Sequence, residues 1–160
     1  MAPGSTSENE LTRPPDDRDL IFLAKELNRL GAKYIIIGGL AINRLGFVRA
    51  TYDIDILLDK SKANQDAVKK ALEILPDQAV KELAEEDLSQ WLVVRVNDEI
   101  TVDLMTQACG LTYNDSEYGI EWESVEGVPI PFAGKTLMRR LKQGARDKDK
   151  IDLKFLDSLD

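Results

Sequence analysis

Hydrophobic positions along this chain switch between a helical period and a strand period, and the switches set out the order of elements. After Asp16 and Asp17, Leu20, Leu23, Ala24, Leu27 and Leu30 recur at three- and four-residue spacing and Gly31 follows. That pattern predicts a helix with an acidic, capped start and a glycine stop. Tyr34–Ile37 is a short apolar run read as a buried strand, and Gly38-Gly39 turns it into a helix near Leu40–Leu45. Phe47–Thr51 leads into a second apolar strand, Tyr52–Leu58. Ser61 caps a helix with Ala67, Val68, Ala71, Leu72 and Leu75 on one face, stopped at Pro76. Asp77 is expected to cap a short helix with Val80, Leu83 and Ala84 inward.

Trp91–Val96 and Glu99–Met105 form an expected hairpin across Asn97-Asp98. In its second arm Ile100, Val102 and Leu104 share one face, and Thr101, Asp103 and Met105 the other. Cys109–Ser124 reads as loop, overlapping a weak hairpin of Ile120–Val125 and Val128–Phe132 around Glu126-Gly127. Gly134–Gln143 is a helix burying Leu137, Met138 and Leu141, with Gly144 as its stop. Asp147 opens a last helix with Ile151, Phe155, Leu156 and Leu159 inward, and Trp91, Trp122, Phe132 and Phe155 are assigned to the core. Strands joined by helical crossovers and followed by a hairpin imply an α/β (α+β) fold, a mixed β-sheet with helices packed on it. Met1 to Pro15, rich in Ser, Pro and Gly, reads as a disordered lead-in, leaving 16–160 as a single domain.

Composition narrows the chemistry. The 160 residues include no histidine, which removes Ser-His triads and histidine-based zinc sites together. A net charge of −8 argues against broad nucleic-acid binding but leaves room for a local contact with one RNA end. One cysteine, Cys109, cannot close an internal disulfide; no membrane-length apolar run or secretory signal is visible, and a cytoplasmic location is expected. Nothing around Cys109 activates it.

What remains is carboxylate chemistry. Asp53 and Asp55 alternate with Ile54 and Ile56, so both acids point to one face of an apolar strand. Unpaired charges there are costly, and a divalent cation would remove the penalty. Asp103 breaks a second apolar strand in the same way. Mg²⁺, or Mn²⁺ in its place, favours such oxygen ligands and keeps substrate phosphates in its shell. Two such ions can stabilise the attacking and leaving oxygens of a phosphoryl displacement, and Asp103 could help take the acceptor's proton. Gly38-Gly39 is either a tight turn or a place where backbone approaches phosphate before an anion-favouring helix start. Arg49 and Thr51 are either lead-in residues or, for the arginine, a phosphate-steering group. Asp59 reads as a turn or cap residue, and the basic positions from Lys135 to Lys150, Lys142 among them, as a solvated helix face.

Ile37-Gly38-Gly39 followed by Asp53-Ile54-Asp55 resembles the signature of the DNA polymerase β-type nucleotidyltransferase superfamily. Gly38-Gly39-Leu40-Ala41, the lead-in Arg49-Ala50-Thr51-Tyr52 and the late run Arg146-Asp147-Lys148-Asp149 through Asp152-Leu153 resemble AbiEii-type bacterial toxins within it. The likeness extends from about Leu20 to the C-terminus. It implies a nucleotidyltransferase fold and transfer of an NMP from an NTP such as ATP to an acceptor hydroxyl. The acceptor would be a tRNA or other RNA end, a protein or a small molecule. The implied catalytic and metal residues are Asp53, Asp55 and Asp103. Gly38, Gly39, Arg49, Thr51 and Lys148 are the implied nucleotide contacts, with Asp149 and Asp152 ordering Lys148. The resemblance further implies an antitoxin or regulator protein as partner. The alternative from another class is a non-catalytic nucleotide- or partner-binding module on the same fold.

Overall fold

The computed structural model describes residues 12–143 and 147–159, with the backbone alone for 147 and 148. Helix α1 (Asp17–Arg29) opens with a reciprocal capping box between Asp16 and Asp19 and buries Leu20, Leu23, Ala24 and Leu27. Strand β1 (Tyr34–Ile37) is wholly buried, and α2 (Gly39–Arg44) follows it. Strand β2 (Asp53–Leu58) and helix α3 (Lys62–Leu72) come next, with Ser61 capping the helix through the Asn64 N–H. Asp59 accepts from the Ser61 N–H, as a turn residue should.

A 3-10 turn at Ala79–Glu82 and the short α4 (Asp87–Gln90) precede the hairpin of β3 (Val94–Asn97) and β4 (Thr101–Met105). Between 109 and 124 the chain is more ordered than its sequence implies. A ribbon of β5 (Gln107–Ala108) and β6 (Leu111–Thr112) leads to α5 (Tyr113–Ser116) and then to the hairpin of β7 (Ile120–Val125) and β8 (Val128–Ala133). That hairpin is regular, because Glu126 and Gly127 both take positive φ (48° and 83°), the twist a tight hairpin turn needs. Helices α6 (Lys135–Leu141) and α7 (Asp147–Asp157) finish the described chain.

Six strands form one mixed sheet in the order β3-β4-β2-β1-β8-β7, with β2–β4 and β1–β8 parallel. One face, carrying Ile36, Ile54, Ile56, Val102 and Leu104, packs under α1 and α3. The other carries Ile35, Ile37, Leu57 and Met105 and packs against α2, α6 and α7. The acids of β2 and β4 lie on this second face. No helix among the described residues is long and apolar enough to cross a membrane.

Four expectations are corrected. The β3–β4 turn is not Asn97-Asp98: Asn97 pairs with Thr101, and Asp98-Glu99-Ile100 form the loop. Asp98 turns inward instead, and its carboxylate accepts from the backbone N–H groups of Asp77, Ala79 and Glu99. It therefore anchors the 3-10 turn that Asp77 was expected to cap. Trp91 and Trp122 are outside the core, since Trp91 ends α4 and Trp122 stands exposed on the edge strand β7. In α7, Leu156 is buried and Phe155 stacks on Phe47, but Ile151 and Leu159 are exposed. Asp149 and Asp152 take the inward positions, because cations wait for them there. Gly144 lies outside the described residues.

Candidate functional site

The parallel pairing of β2 with β4 places Asp55 directly opposite Asp103, and Asp53 opposite Thr101. Ile54 and Ile56 fill the far face completely, so the strand alternation forces both β2 acids onto the side of Asp103. One carboxylate oxygen from each of Asp53, Asp55 and Asp103 lies within 4.8 Å of the others. Asp103 is buried and the other two half-buried. An all-oxygen donor set of this size fits a hard cation such as Mg²⁺.

The end of β1 completes the floor. Ile37 pairs with Asp55, and Gly38 next to it has φ 72° and ψ −149°, a backbone region essentially reserved for glycine. A Cβ on Gly39 would meet the Thr51 Cγ2 at 2.5 Å. Gly38 is therefore required by its backbone conformation and Gly39 by close packing. Thr51 lies against the turn with its methyl group.

A cleft of about 550 Å³ opens over Gly38, Asp55 and Asp103. Its lining is largely apolar, with Met105, Met138, Leu141, Leu92 and Val93 among the lining residues. Cys109 lines it too, its thiol donating to the Leu141 carbonyl at 3.0 Å. Lys142 brings a cation to the same cleft. Its ammonium is 3.0 Å from Asp152 and 3.6 Å from Asp149, and the side chain is buried.

Arg49 is committed elsewhere than to an open phosphate site. Its guanidinium forks onto Asp152 at 2.7 and 2.9 Å and lies over the Phe47 ring. Asp152 thus bridges Arg49 and Lys142 and ties α7 to the lead-in of β2. Of the sequence-derived site residues, Asp53, Asp55, Asp103 and Gly38 converge on one spot. Gly39, Thr51 and Arg49 form an adjoining layer, while the side chain of Lys148 lies outside the described residues, as does Arg146.

Two functional groups escaped the sequence reading. Arg95 on β3 faces Asp103 across the hairpin, donating from Nε and Nη2 at 2.8 and 2.9 Å. The same Nη2 reaches Asp53 at 3.3 Å. Hydrogen bonding to Asp103 and the charges of Asp103, Asp53 and Asp55 hold this guanidinium protonated well above its ordinary range. A turn at Asn97-Asp98 would have set Arg95 opposite Ile100, which hid the pairing. The alternation of Val94, Arg95 and Val96 was the available signal. Lys142, grouped with solvated cations, falls four residues after the buried Met138 and so shares its face.

No family model matches the chain, and no curated protein matches it in sequence. Three-dimensional structure is where similarity emerges. The crystal structure of the lincosamide antibiotic adenylyltransferase LnuA with lincomycin bound is similar over 92% of this chain and 100% of its own, with a TM-score of 0.60 and 16% identity. A putative nucleotidyltransferase of Thermotoga maritima, TM1012, is similar over 88% of this chain and 92% of its own, with a TM-score of 0.56 and 16% identity. This chain has the nucleotidyltransferase fold. At such identity the likeness carries the architecture, a mixed sheet with helices, and the roles of individual residues rest on the geometry above.

Proposed function

We propose that this chain is a divalent-metal-dependent nucleotidyltransferase that moves an NMP from an NTP to an acceptor hydroxyl. The observation that carries the proposal is the convergence of Asp53, Asp55 and Asp103 to within 4.8 Å, with Asp55 and Asp103 lining a cleft. A Mg²⁺ ion held there would neutralise charge on the phosphoryl group in transit. The chain's own part is to hold three acids at fixed spacing, to leave room beside Gly38, and to shield the floor with apolar walls. Asp103, the buried member, would be the acid that draws a proton from an acceptor hydroxyl.

The cleft is of a size that suits a small ligand, and its largely apolar lining favours a small-molecule or protein acceptor. The fold shared with LnuA, whose bound lincomycin is a small molecule, supports the same direction. A net charge of −8 weighs against a long nucleic acid, though a tRNA end could still enter such a site. The narrower reading, the toxin of a cytoplasmic bacterial toxin–antitoxin pair, rests on the AbiEii-like sequence runs alone.

A second reading has its own observation. The Arg95 fork on Asp103 is what a nucleotide- or partner-binding module would keep to neutralise a retired acid. Incubating the full chain with Mg²⁺, each α-labelled NTP and cell extract separates the two. Label transfer that disappears in Asp53→Ala and Asp55→Ala is the expected result. Tight NTP binding without transfer would establish the binding module instead.

A further inference from the structure

We infer that Arg95 is a resident cation of the acid cluster, standing in for the divalent ion and exchanged for it when the site loads. The inference rests on the metal-dependent reading above. Three carboxylates this close repel one another, and the guanidinium offsets part of that repulsion. It does so by occupying both oxygens of Asp103 and one of Asp53, atoms that a metal would also need. A divalent ion beside a guanidinium on the same oxygens meets like charge at short range, so the two cations compete.

The fold decides which partner gives way. The Asp103 side chain is 9% exposed and fixed in an interior strand, whereas Arg95 is 34% exposed and stands on β3, the edge of the sheet. Among the described residues no strand lies beyond β3 to block an outward swing. Arginine, with its long flexible stem, can leave while the acid cannot. The cluster would then stay assembled in both states, and metal affinity would be the difference between two cations rather than the full attraction of three acids.

The test is a titration of the full chain with Mn²⁺, followed by electron paramagnetic resonance of the free ion, alongside thermal melts with and without Mg²⁺. Removing the competitor in R95Q should tighten Mn²⁺ binding roughly tenfold, the size expected from losing one charged hydrogen-bonded pair. Metal-free R95Q should melt lower than the wild type and gain more from saturating Mg²⁺. R95K, which cannot fork onto two oxygens, should bind Mn²⁺ with intermediate strength. A salt bridge with only a structural role would lower the melt and leave Mn²⁺ affinity where it was.

Equal or weaker Mn²⁺ binding by R95Q, with the wild type binding normally, overturns the exchange and leaves the enzymatic reading standing. If R95Q does not fold, R95K decides by the same criterion. Absence of Mn²⁺ binding in the wild type, matched by a D103N control, overturns both readings together.

Discussion

An oxygen of Asp55 occupies the place where Gly38 would carry a side chain. A Cβ built on Gly38 lies 2.1 Å from Asp55 Oδ2 and 2.9 Å from its Cγ. The glycine is thus part of the acid site's shape, and it also holds a backbone conformation other residues avoid. Gly38→Ala should lower stability by about 2–3 kcal/mol from backbone strain alone. It should also displace Asp55 and weaken Mn²⁺ binding. Urea unfolding and a Mn²⁺ titration on the same preparation measure the two effects separately.

Asp55→Asn removes one charge from a crowded cluster. Metal-free stability should change by no more than about 1 kcal/mol, because lost repulsion offsets lost polar contacts. The increase in melting temperature on adding Mg²⁺ should shrink or vanish, and transfer activity should fall by at least about 100-fold, some 2.7 kcal/mol of barrier. A variant that keeps wild-type activity would remove Asp55 from the site.

Arg49 separates a structural from a phosphate-binding role. Asp152 is wholly buried between Arg49 and Lys142. Arg49→Ala leaves that carboxylate with one cation and should cost about 2–4 kcal/mol. Mn²⁺ affinity should be unaffected, since Arg49 does not touch the acid cluster. Calorimetric unfolding alongside NTP titration checks this: unchanged stability with weakened NTP binding would return Arg49 to the phosphates.

Tyr34 supplies a pH dependence. Burial pushes its phenol above the ordinary range, and its hydroxyl donates to Asn28 Oδ1 at 2.9 Å. A folded-state pKa raised above the unfolded value of about 10 gives a contribution that is complete below that pH and is lost as pH rises through the folded value. Tyr34→Phe should be about 1 kcal/mol less stable at neutral pH for want of the hydrogen bond. Its alkaline decline should also be shallower. Denaturant midpoints measured from neutral pH to above about pH 10 would show the two curves converging.

The sequence by itself determined the strand of Tyr34–Ile37 and, to within one residue, that of Asp53–Leu58, the helices flanking them, and the faces on which Asp53, Asp55 and Asp103 stand. Those features follow from local periodicity, since alternation in a strand fixes a side chain's face without reference to any partner. It did not determine the partners. Arg95 meets Asp103 only because Asp98 turns inward to hold the Asp77–Ala79 backbone and shifts the hairpin register. The acids of α7 face inward only because Arg49 and Lys142, distant in the chain, bring their charges to the same interior. Apolar spacing cannot foresee this, because a buried charge is tolerated by what lies across from it, and that is settled by tertiary packing.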